Sequence, residues 1–507
     1  TGWYTLSLHD ALPIFSLHQG SFPGPFPLAF LLAPRYFKPL TAVQAQNERP
    51  AGTMQKTSAE VEEVCVIGGG PAGLTAALSL LKRGVPVVVL EKESRLGGLA
   101  RSVSFSGKSF DAFYHFICRP DTELIDLVKS LGLEAKLHWR PSRTSYFQQG
   151  RLYGFTTPVD LLLFDPIPFG QRIRFGWNVV HCRYRKNWQK LDGISAREWM
   201  IERIGKQAYE SIWDPLLRLK FGTHHDTVSA AWMWHRIHRV ARSRNRLWEK
   251  EMLGYLEGGM DTLTSRLAAE IERLGGHILL DSRVDGIVAE AGHVRGVRIA
   301  GQSGMRPCRQ LYSSIPPPFL VDWISDAVAP DKQGELTAMR ATPYIGVVCA
   351  LLRLAHPVAD GFWTNVNIPG LPVNGLISYT HLNPLADPDG LHLVYIPFYV
   401  PHEDNRFCAD DKSILRDCVS ALRIVQPAFK PDWVMDCVIS RSTYAQAICG
   451  IGFGPKRPDP RGPLAGLYLS DSSQLYPEDR SVSGAIRLGL QVAAMIDEDR
   501  RAGSAHA

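Results

Sequence analysis

The sequence lacks long hydrophobic runs, paired cysteines and a strong excess of either charge. No apolar stretch approaches the roughly 20 residues that a helix needs to span a bilayer, so we predict no membrane-spanning helix. The nine cysteines contain no C-x-x-C pair, which favours buried thiols in a reducing compartment over a disulfide framework. Ser-His-Asp order, H-E-x-x-H, Walker A and metal-ligand spacings are also missing, so we expect no metal. What remains is an ordinary globular composition, 45% hydrophobic and 21% charged.

Positive charge is concentrated in one segment, although the formal net charge of the 507 residues is only +6. Residues 171–250 hold 17 Lys and Arg against 7 Asp and Glu. No nucleic-acid recognition motif or interleaved aromatic and basic array accompanies this excess, so we expect no nucleic-acid partner.

Residues 1–53 show no sustained hydrophobic period, and prolines interrupt each apolar stretch. A signal peptide is one interpretation, but no basic region precedes the apolar residues at 27–33. Residues 5–14 also resemble one reading frame of a sequencing adapter. We expect an artefactual or disordered leader here, with Met54 as the natural start.

A nucleotide-binding unit is predicted directly after this leader. A β run at 64–67 is followed by Gly68, Gly70 and Gly73 in G-x-G-x-x-G spacing, then by a helical pattern and a second β run at 85–90. These glycines permit a tight turn, a close approach of a pyrophosphate and close packing of the helix on the strand. Glu91 ends the second run, where its carboxylate can accept hydrogen bonds from ribose hydroxyls.

The next residues resemble the R-x-G-G motif of FAD enzymes related to amine oxidase and protoporphyrinogen oxidase. Arg95, Gly97 and Gly98 carry this resemblance, which implies FAD rather than NAD. A Gly-Gly-Met block at 258–260 and the C-terminal stretches 466–471 and 481–485 resemble later FAD motifs of the same family. The cofactor-binding residues implied by these motifs are Gly68, Gly70, Pro71, Ala72, Gly73, Glu91, Lys92, Arg95, Gly97, Gly98, Leu99, Ala100, Val284, Asp471, Ser481, Val482 and Ser483.

The resemblance implies an α/β fold: a Rossmann-like FAD-binding domain assembled from separated segments, with an α+β substrate-binding domain. We assign residues 54–155, 255–335 and 441–507 to the FAD domain. Residues 156–254, with helical patterns at 196–204 and 227–242, form a helical substrate segment. Residues 336–440, with β runs at 345–352, 375–379 and 391–399, form a β-rich substrate segment.

Candidate catalytic residues lie on both sides of this substrate domain. Tyr114 and His115 occupy an aromatic run that resembles the flavin-facing segment of relatives and of UDP-galactopyranose mutase. A histidine in such a run can equally be a hydrogen-bonded core residue. Tyr379 with His381 is a second candidate pair, and Lys220 is a further flavin-side candidate.

Arg236, Arg239 and Arg242 recur along one predicted helix and are candidate substrate-binding residues for a phosphate or carboxylate. A solvated helix face is the alternative interpretation. Aromatic residues such as Phe169 and Trp177 stand beside arginines in the same segment, which is typical of an interfacial contact. We therefore expect a cytoplasmic protein and keep two interpretations of this segment: peripheral membrane contact, or core helices whose arginines reach solvent.

The function hypothesis is an FAD-dependent oxidoreductase that moves hydride from a small-molecule substrate to flavin N5, with oxygen or a quinone as acceptor. Two alternatives stay open: a UDP-galactopyranose mutase-like enzyme without net redox, and a non-enzymatic binding protein like the GDP-dissociation inhibitors. A bacterial protoporphyrinogen-oxidase-like branch is implied by Tyr476-Pro-Glu-Asp-Arg480. The substrate and the oligomeric state are not readable from the sequence.

Overall fold

The structure is a computed structural model that describes residues 63–244, 249–368, 370–373 and 375–505. The expectation of a leader at 1–53 lies outside the described residues. The described strands, in chain order, are β1 (Val64–Ile67), β2 (Val87–Leu90), β3 (Ser102–Phe105), β4 (Lys108–Asp111), β5 (Leu137–Pro141), β6 (Thr144–Gln148), β7 (Arg151–Gly154), β8 (Met252–Leu256), β9 (His277–Leu279), β10 (Val284–Glu290), β11 (His293–Ile299), β12 (Arg306–Pro307), β13 (Leu311–Ser313), β14 (Tyr344–Leu354), β15 (Trp363–Asn367), β16 (Gly375–Ser378), β17 (His392–Pro401), β18 (Val434–Ala447) and β19 (Leu467–Leu469).

The α-helices of the same ranges are α1 (Pro71–Leu81), α2 (Thr122–Ser130), α3 (Pro158–Leu163), α4 (Phe169–Tyr184), α5 (Gln189–Asp192), α6 (Ala196–Ile204), α7 (Lys206–Ala208), α8 (Asp214–Phe221), α9 (Ala230–Arg242), α10 (Asp261–Arg273), α11 (Pro318–Ile324), α12 (Gln333–Ala341), α13 (Asp411–Val425) and α14 (Val482–Ala505). A π-helical turn (Tyr209–Trp213) precedes α8.

A five-stranded parallel sheet positions the nucleotide motifs, with strand order β19-β13-β1-β2-β9. Its strands β1 and β2 are apolar and buried at every position, as expected of a parallel sheet covered on both faces. α1, α10 and α14 pack on one face through residues such as Leu74, Leu267 and Ile486. α11, α12 and the small antiparallel sheet β10-β11-β12 cover the other face. This arrangement confirms the predicted Rossmann-like α/β class.

A second, seven-stranded mixed sheet has the strand order β18-β14-β17-β16-β15-β6-β7. Strands β14 and β17 are buried along almost their whole lengths, so this sheet has a continuous apolar core. Helices α4, α6, α8 and α9 share a second apolar core above it, built on residues such as Trp199, Phe221 and Trp234. A helical layer therefore faces a sheet across the space between them.

Two details differ from the sequence-based segment boundaries. β6 and β7 belong to the seven-stranded sheet although they lie within 54–155, and β18 runs through the boundary at 440. Strand periodicity reports that a residue is in a strand, but not which sheet that strand joins. α9 begins at Ala230 rather than 227, because the Ser229 hydroxyl accepts a hydrogen bond from the Ala231 amide and caps the helix.

Candidate active site

The glycine turn after β1 joins the end of a strand to the start of α1. Gly68 adopts φ +102°, a conformation that glycine favours. A methyl group on Gly73 would lie 2.0 Å from the Gly68 carbonyl oxygen, so only glycine lets α1 approach the strand. A methyl group on Gly70 would meet no atom nearer than the Cα of Gly98 at 3.9 Å, because Gly70 faces an open cavity. The N-terminus of α1 therefore opens onto that cavity with its positive dipole end.

Glu91 stands at the end of β2 on the same cavity. Its carboxylate accepts hydrogen bonds from the amides of Gly69 at 2.7 Å and Glu93 at 3.0 Å. The Ser282 amide donates to the Glu91 carbonyl at 2.8 Å, which brings the chain segment before Val284 beside the acid. A fixed carboxylate beside a strand end is the arrangement that holds a ribose.

The second glycine turn is hydrogen-bonded to the first. The Gly97 amide donates to the Gly69 carbonyl at 2.8 Å, and Gly97 adopts φ +116°. This contact turns Gly98, Leu99 and Ala100 toward the cavity. The two glycine turns together form a cradle of backbone without side chains, which suits a pyrophosphate.

The C-terminal motif closes the other side of the cradle. The Asp471 carboxylate accepts from the Tyr344 hydroxyl at 2.8 Å and from the Ser473 amide at 2.7 Å. Ser481 and Val482 bring the N-terminus of α14 to the cavity. Ser483 points elsewhere, because its hydroxyl donates to the Glu123 carboxylate at 2.9 Å and ties α14 to α2.

These segments line one cavity of about 1540 Å³, larger than the roughly 300–1,000 Å³ of a typical ligand pocket. The cavity is therefore large enough for FAD, and the exposed backbone of the cradle suits its pyrophosphate. The predicted cofactor-binding residues on its wall are Gly68, Gly70, Pro71, Ala72, Glu91, Lys92, Arg95, Gly98, Leu99, Ala100, Val284, Asp471, Ser481 and Val482. The three others do not line the cavity: Gly73 and Gly97 allow the two turns to form, and Ser483 holds α14 against α2.

Tyr114 and His115 lie on the substrate side of the same cavity. The hydroxyl groups of Tyr114 and Tyr399 are 2.7 Å apart. Burial, together with the charge of Arg480, lowers the pKa of His115 to about 4, so the imidazole is neutral at physiological pH. Its Nδ1 lies 3.9 Å from the carboxylate of Asp111, whose pKa is raised to about 7 by burial.

Lys220, the flavin-side candidate, also lines the cavity. Its amine lies 3.4 Å from the Asp479 carboxylate and 4.9 Å from the centre of the Trp232 ring. Burial lowers the pKa of Lys220 to about 8, although Asp479 opposes the shift. The amine therefore titrates close to physiological pH.

The three predicted substrate-binding arginines do not share one face of α9. A spacing of three residues drifts by about 60° per step on a helix of 3.6 residues per turn. Arg236 and Arg239 line the cavity, whereas Arg242 is exposed outside it. Arg239 is already paired with Asp121 in two hydrogen bonds of 3.1 and 2.7 Å. Arg242 therefore does not contribute to this site.

The second candidate pair is not part of the cavity wall. His381 donates from Nε2 to the Ala359 carbonyl at 2.7 Å and serves the structure of its loop. Tyr379 is buried against the ring of Tyr395, with centroids 5.5 Å apart. Tyr379 is therefore a packed core residue, whereas His381 is an exposed residue that binds a backbone carbonyl.

Asp479 and Arg480 are the site residues that sequence reasoning missed. The Asp479 carboxylate lies 3.1 Å from Arg236 as well as 3.4 Å from Lys220, and this pairing holds its pKa below the usual range. The Tyr476-Pro-Glu-Asp-Arg480 motif was visible in the sequence, but its ionic partners lie about 240–260 residues away along the chain. Only the fold brings them together.

Much of the rest of the substrate side is apolar. Its wall comes from α3, α4, the π-helical turn, α8 and α9, and includes Phe155, Leu161, Phe175, Val179, Leu216 and Val240. Val240 is 43% exposed, so the cavity reaches the surface beside α4 and α9. Within the described ranges, no group of three or more His, Cys, Asp or Glu side chains is arranged to hold a metal ion.

The fold and this site define the class: a protein with a glycine-rich backbone cradle that shares one cavity with a largely apolar chamber. Comparison with known families narrows the class further. The family described as flavin containing amine oxidoreductase matches residues 71–497, which is most of the chain. The chain therefore belongs to the flavin-containing amine oxidoreductase family. The expected cofactor, FAD, is confirmed, and the mutase-like and binding-protein alternatives are not supported.

Individual relatives match only parts of the chain. Mitochondrial protoporphyrinogen oxidase of Nicotiana tabacum is 27% identical over 183 residues, which are 35% of this chain and 36% of that enzyme. AofH of Mycobacterium tuberculosis is 25% identical over 292 residues, which are 54% of this chain and 61% of AofH. The chain thus spans less than two thirds of these curated relatives.

Solved structures match more of the chain. An oxidoreductase from Methanosarcina mazei superposes with a TM-score of 0.67 and 18% identity, covering 85% of this chain and 100% of its own. Cyclohexylamine oxidase from Brevibacterium oxydans IH-35A superposes with a TM-score of 0.63 and 19% identity, covering 87% and 99%. At these identities the likeness shows the fold alone, and a small-molecule substrate is consistent with the family.

Proposed function

We propose that the cavity is the site of a two-substrate redox reaction on an apolar small molecule. Bound FAD would supply the chemistry by accepting a hydride from a substrate C–H at N5 and passing the electrons to oxygen or a quinone. The observation that carries the proposal is the single cavity, which joins the FAD cradle to the apolar chamber without an intervening wall.

The roles of the cradle residues follow from their chemistry. The backbone at Gly68, Gly70 and Gly98 and the N-terminus of α1 would hold the pyrophosphate. Glu91 would accept hydrogen bonds from a ribose, and the backbone of Val284 would meet the adenine. The Asp471 carboxylate and the start of α14 would face the ribityl chain and the flavin ring.

The chamber residues would position the substrate and exclude water. His115 is neutral at physiological pH, so it can accept or donate one hydrogen bond without adding charge beside the reacting C–H bond. The pair of hydroxyls on Tyr114 and Tyr399 offers a further polar contact in an otherwise apolar wall. Lys220 supplies a cation whose charge changes near pH 8.

Reoxidation of the loaded protein tests the choice of acceptor. Protein loaded with FAD is reduced with dithionite under argon, freed of excess reductant and mixed with air-saturated buffer or with menadione. We expect the flavin absorbance to return with one of the two acceptors, with oxygen uptake or quinone loss matching the flavin present. Reduced flavin that persists with both acceptors would contradict the proposal.

We further propose that the protein is cytoplasmic and that α3 and α4 attach it reversibly to anionic membranes. Leu162, Leu163, Phe169, Ile173, Trp177 and Tyr184 form what we term the α3–α4 apolar surface, and each is between 39% and 72% exposed. An α-helix turns by about 100° per residue, so the four members on α4 lie on one side of the helix, within an arc of about 80° around its axis. α4 carries Arg172, Arg174 and Arg183 and no acidic residue, which suits a negatively charged surface. In the described ranges, no helix is long and apolar enough to cross a membrane.

Vesicle flotation tests this attachment. We expect the protein to float with phosphatidylserine-containing vesicles at low salt, and to float less at high salt because exposed charges are screened. Trp177→Ser should reduce flotation. Leu385→Ser is the matched control, because Leu385 is as exposed as Trp177, at 72%, but lies outside the α3–α4 apolar surface. Protein that stays unbound to anionic vesicles at low salt would refute the attachment.

A further inference from the structure

Three cationic side chains from separate parts of the chain lie near one carboxylate in the chamber, and two of them pair with it. Lys220 comes from α8, Arg236 from α9, and Asp479 and Arg480 from the segment before α14. The Asp479 carboxylate lies 3.4 Å from the Lys220 amine and 3.1 Å from the Arg236 guanidinium. Arg480 makes no ion pair with any residue of the described ranges, and its guanidinium lies 6.0 Å from the centre of the Tyr399 ring.

The other acids on this side of the cavity do not balance the cations. Asp121 is held by the two hydrogen bonds from Arg239. Glu251 is buried near Arg244, and burial raises its pKa. Asp479 is therefore shared between Lys220 and Arg236, which leaves the cluster with more positive than negative charge.

A partly buried excess of positive charge is unfavourable unless an anion binds there and neutralises it. Here the surroundings are apolar: the Lys220 amine lies 4.9 Å from the Trp232 ring centre and 5.4 Å from the Tyr399 ring centre. These aromatic rings provide no counter-ion for the excess positive charge. An anionic group with an apolar body attached fits both the cluster and the wall beyond it.

We propose that Lys220, Arg236 and Arg480 form an anion subsite that binds the carboxylate of an otherwise apolar substrate. The inference rests on the proposed function and deepens it by naming the substrate class. A protonated amine is disfavoured at the same place, because it would approach three cations that share a single carboxylate. Arg480 is the key member, because it lacks an ionic partner of its own.

The test compares three probes of equal chain length on protein loaded with FAD: octanoate, octanol and octylamine. Binding is measured by isothermal titration calorimetry and by the perturbation of the flavin absorbance. We expect octanoate to bind at least about tenfold more tightly than octanol, since a hydrogen bond to a charged group contributes about 1.5–3 kcal/mol. Octylamine should bind more weakly than octanol.

Two variants separate the subsite from general packing. Arg480→Gln should weaken octanoate binding about tenfold and leave octanol binding within about twofold. Arg416→Gln is the matched control, because Arg416 is an exposed arginine on α13 outside the cavity and should leave both affinities unchanged.

Octanoate that binds no more tightly than octanol, or octylamine that binds most tightly of the three, would overturn the anion subsite. An equal loss of both octanoate and octanol binding in Arg480→Gln would also overturn it. These outcomes leave the proposed function standing as long as the protein holds FAD and its reduced flavin is reoxidised. Failure to hold FAD would instead contradict the proposed function before any probe is added.

Discussion

Two glycines of the G-x-G-x-x-G motif, Gly70 and Gly73, should respond to the same substitution in opposite ways. Gly73→Ala would place a methyl group 2.0 Å from the Gly68 carbonyl oxygen, so α1 must move away from the strand. Gly70→Ala would place it at least 3.9 Å from its nearest neighbour. Gly70 also has φ −80°, which alanine adopts without strain.

The expected magnitudes follow from this geometry. Gly73→Ala should lower the free energy of unfolding by about 1–3 kcal/mol or more, the usual cost of overpacking a rigid contact. Gly70→Ala should change it by no more than about 1 kcal/mol, with a stabilising sign because the unfolded chain loses freedom. The same methyl group occupies the cradle, so FAD affinity of Gly70→Ala should fall at least about tenfold, or about 1.4 kcal/mol.

Both quantities are measured on the same preparations. Urea unfolding of the FAD-free protein, followed by tryptophan fluorescence, gives the free energy of unfolding. Titration with FAD, followed by quenching of flavin fluorescence, gives the affinity. The reasoning would be refuted if Gly70→Ala bound FAD like the wild type, or if Gly73→Ala were as stable as the wild type.

Three further predictions concern stability, pH and thiol access. Arg353 donates two hydrogen bonds, of 2.6 and 3.1 Å, to the fully buried carboxylate of Asp387. Arg353→Met would leave that carboxylate without this partner, so the free energy of unfolding measured in urea should fall by about 3–5 kcal/mol. A loss below about 1 kcal/mol would contradict this prediction. The pKa of Asp111 is raised by burial to about 7, so its contribution to stability is present below about pH 4 and is lost as the pH rises through 7. Asp111→Asn should remove that slope from the pH dependence of urea unfolding, and an unchanged slope would show that another group titrates. Cys408 is the one exposed cysteine of the nine, so Ellman's reagent should titrate one fast thiol in the native protein and none in Cys408→Ser.

The backbone cradle of the two glycine turns was predictable because its signals are local in the chain. The glycine turn, Glu91 and the second turn at Gly97 follow one another within 30 residues, and each has a backbone reason for its residue type. Hydrophobic periodicity also gave α6 within its observed bounds and most of β14 and β17.

The substrate side was predictable only in part, because its contacts are long-range. Lys220 and Tyr114 reach the cavity as expected, but nothing local in the sequence pairs Lys220 with Asp479 across 259 residues. Arg242 was wrongly grouped with Arg236, because a three-residue spacing drifts around a helix. His381 shows the same limit, since a histidine bound to a backbone carbonyl looks no different in sequence from one at a reaction centre.

The absorption spectrum of the purified protein tests the central claim most directly. After excess FAD is added and removed by gel filtration, we predict about one FAD per chain, with visible bands that bleach on reduction. Gly70→Ala provides the control, because it should fold but retain much less flavin after the same procedure. A folded wild-type protein that retains no flavin absorbance would contradict the assignment of the cavity as an FAD site.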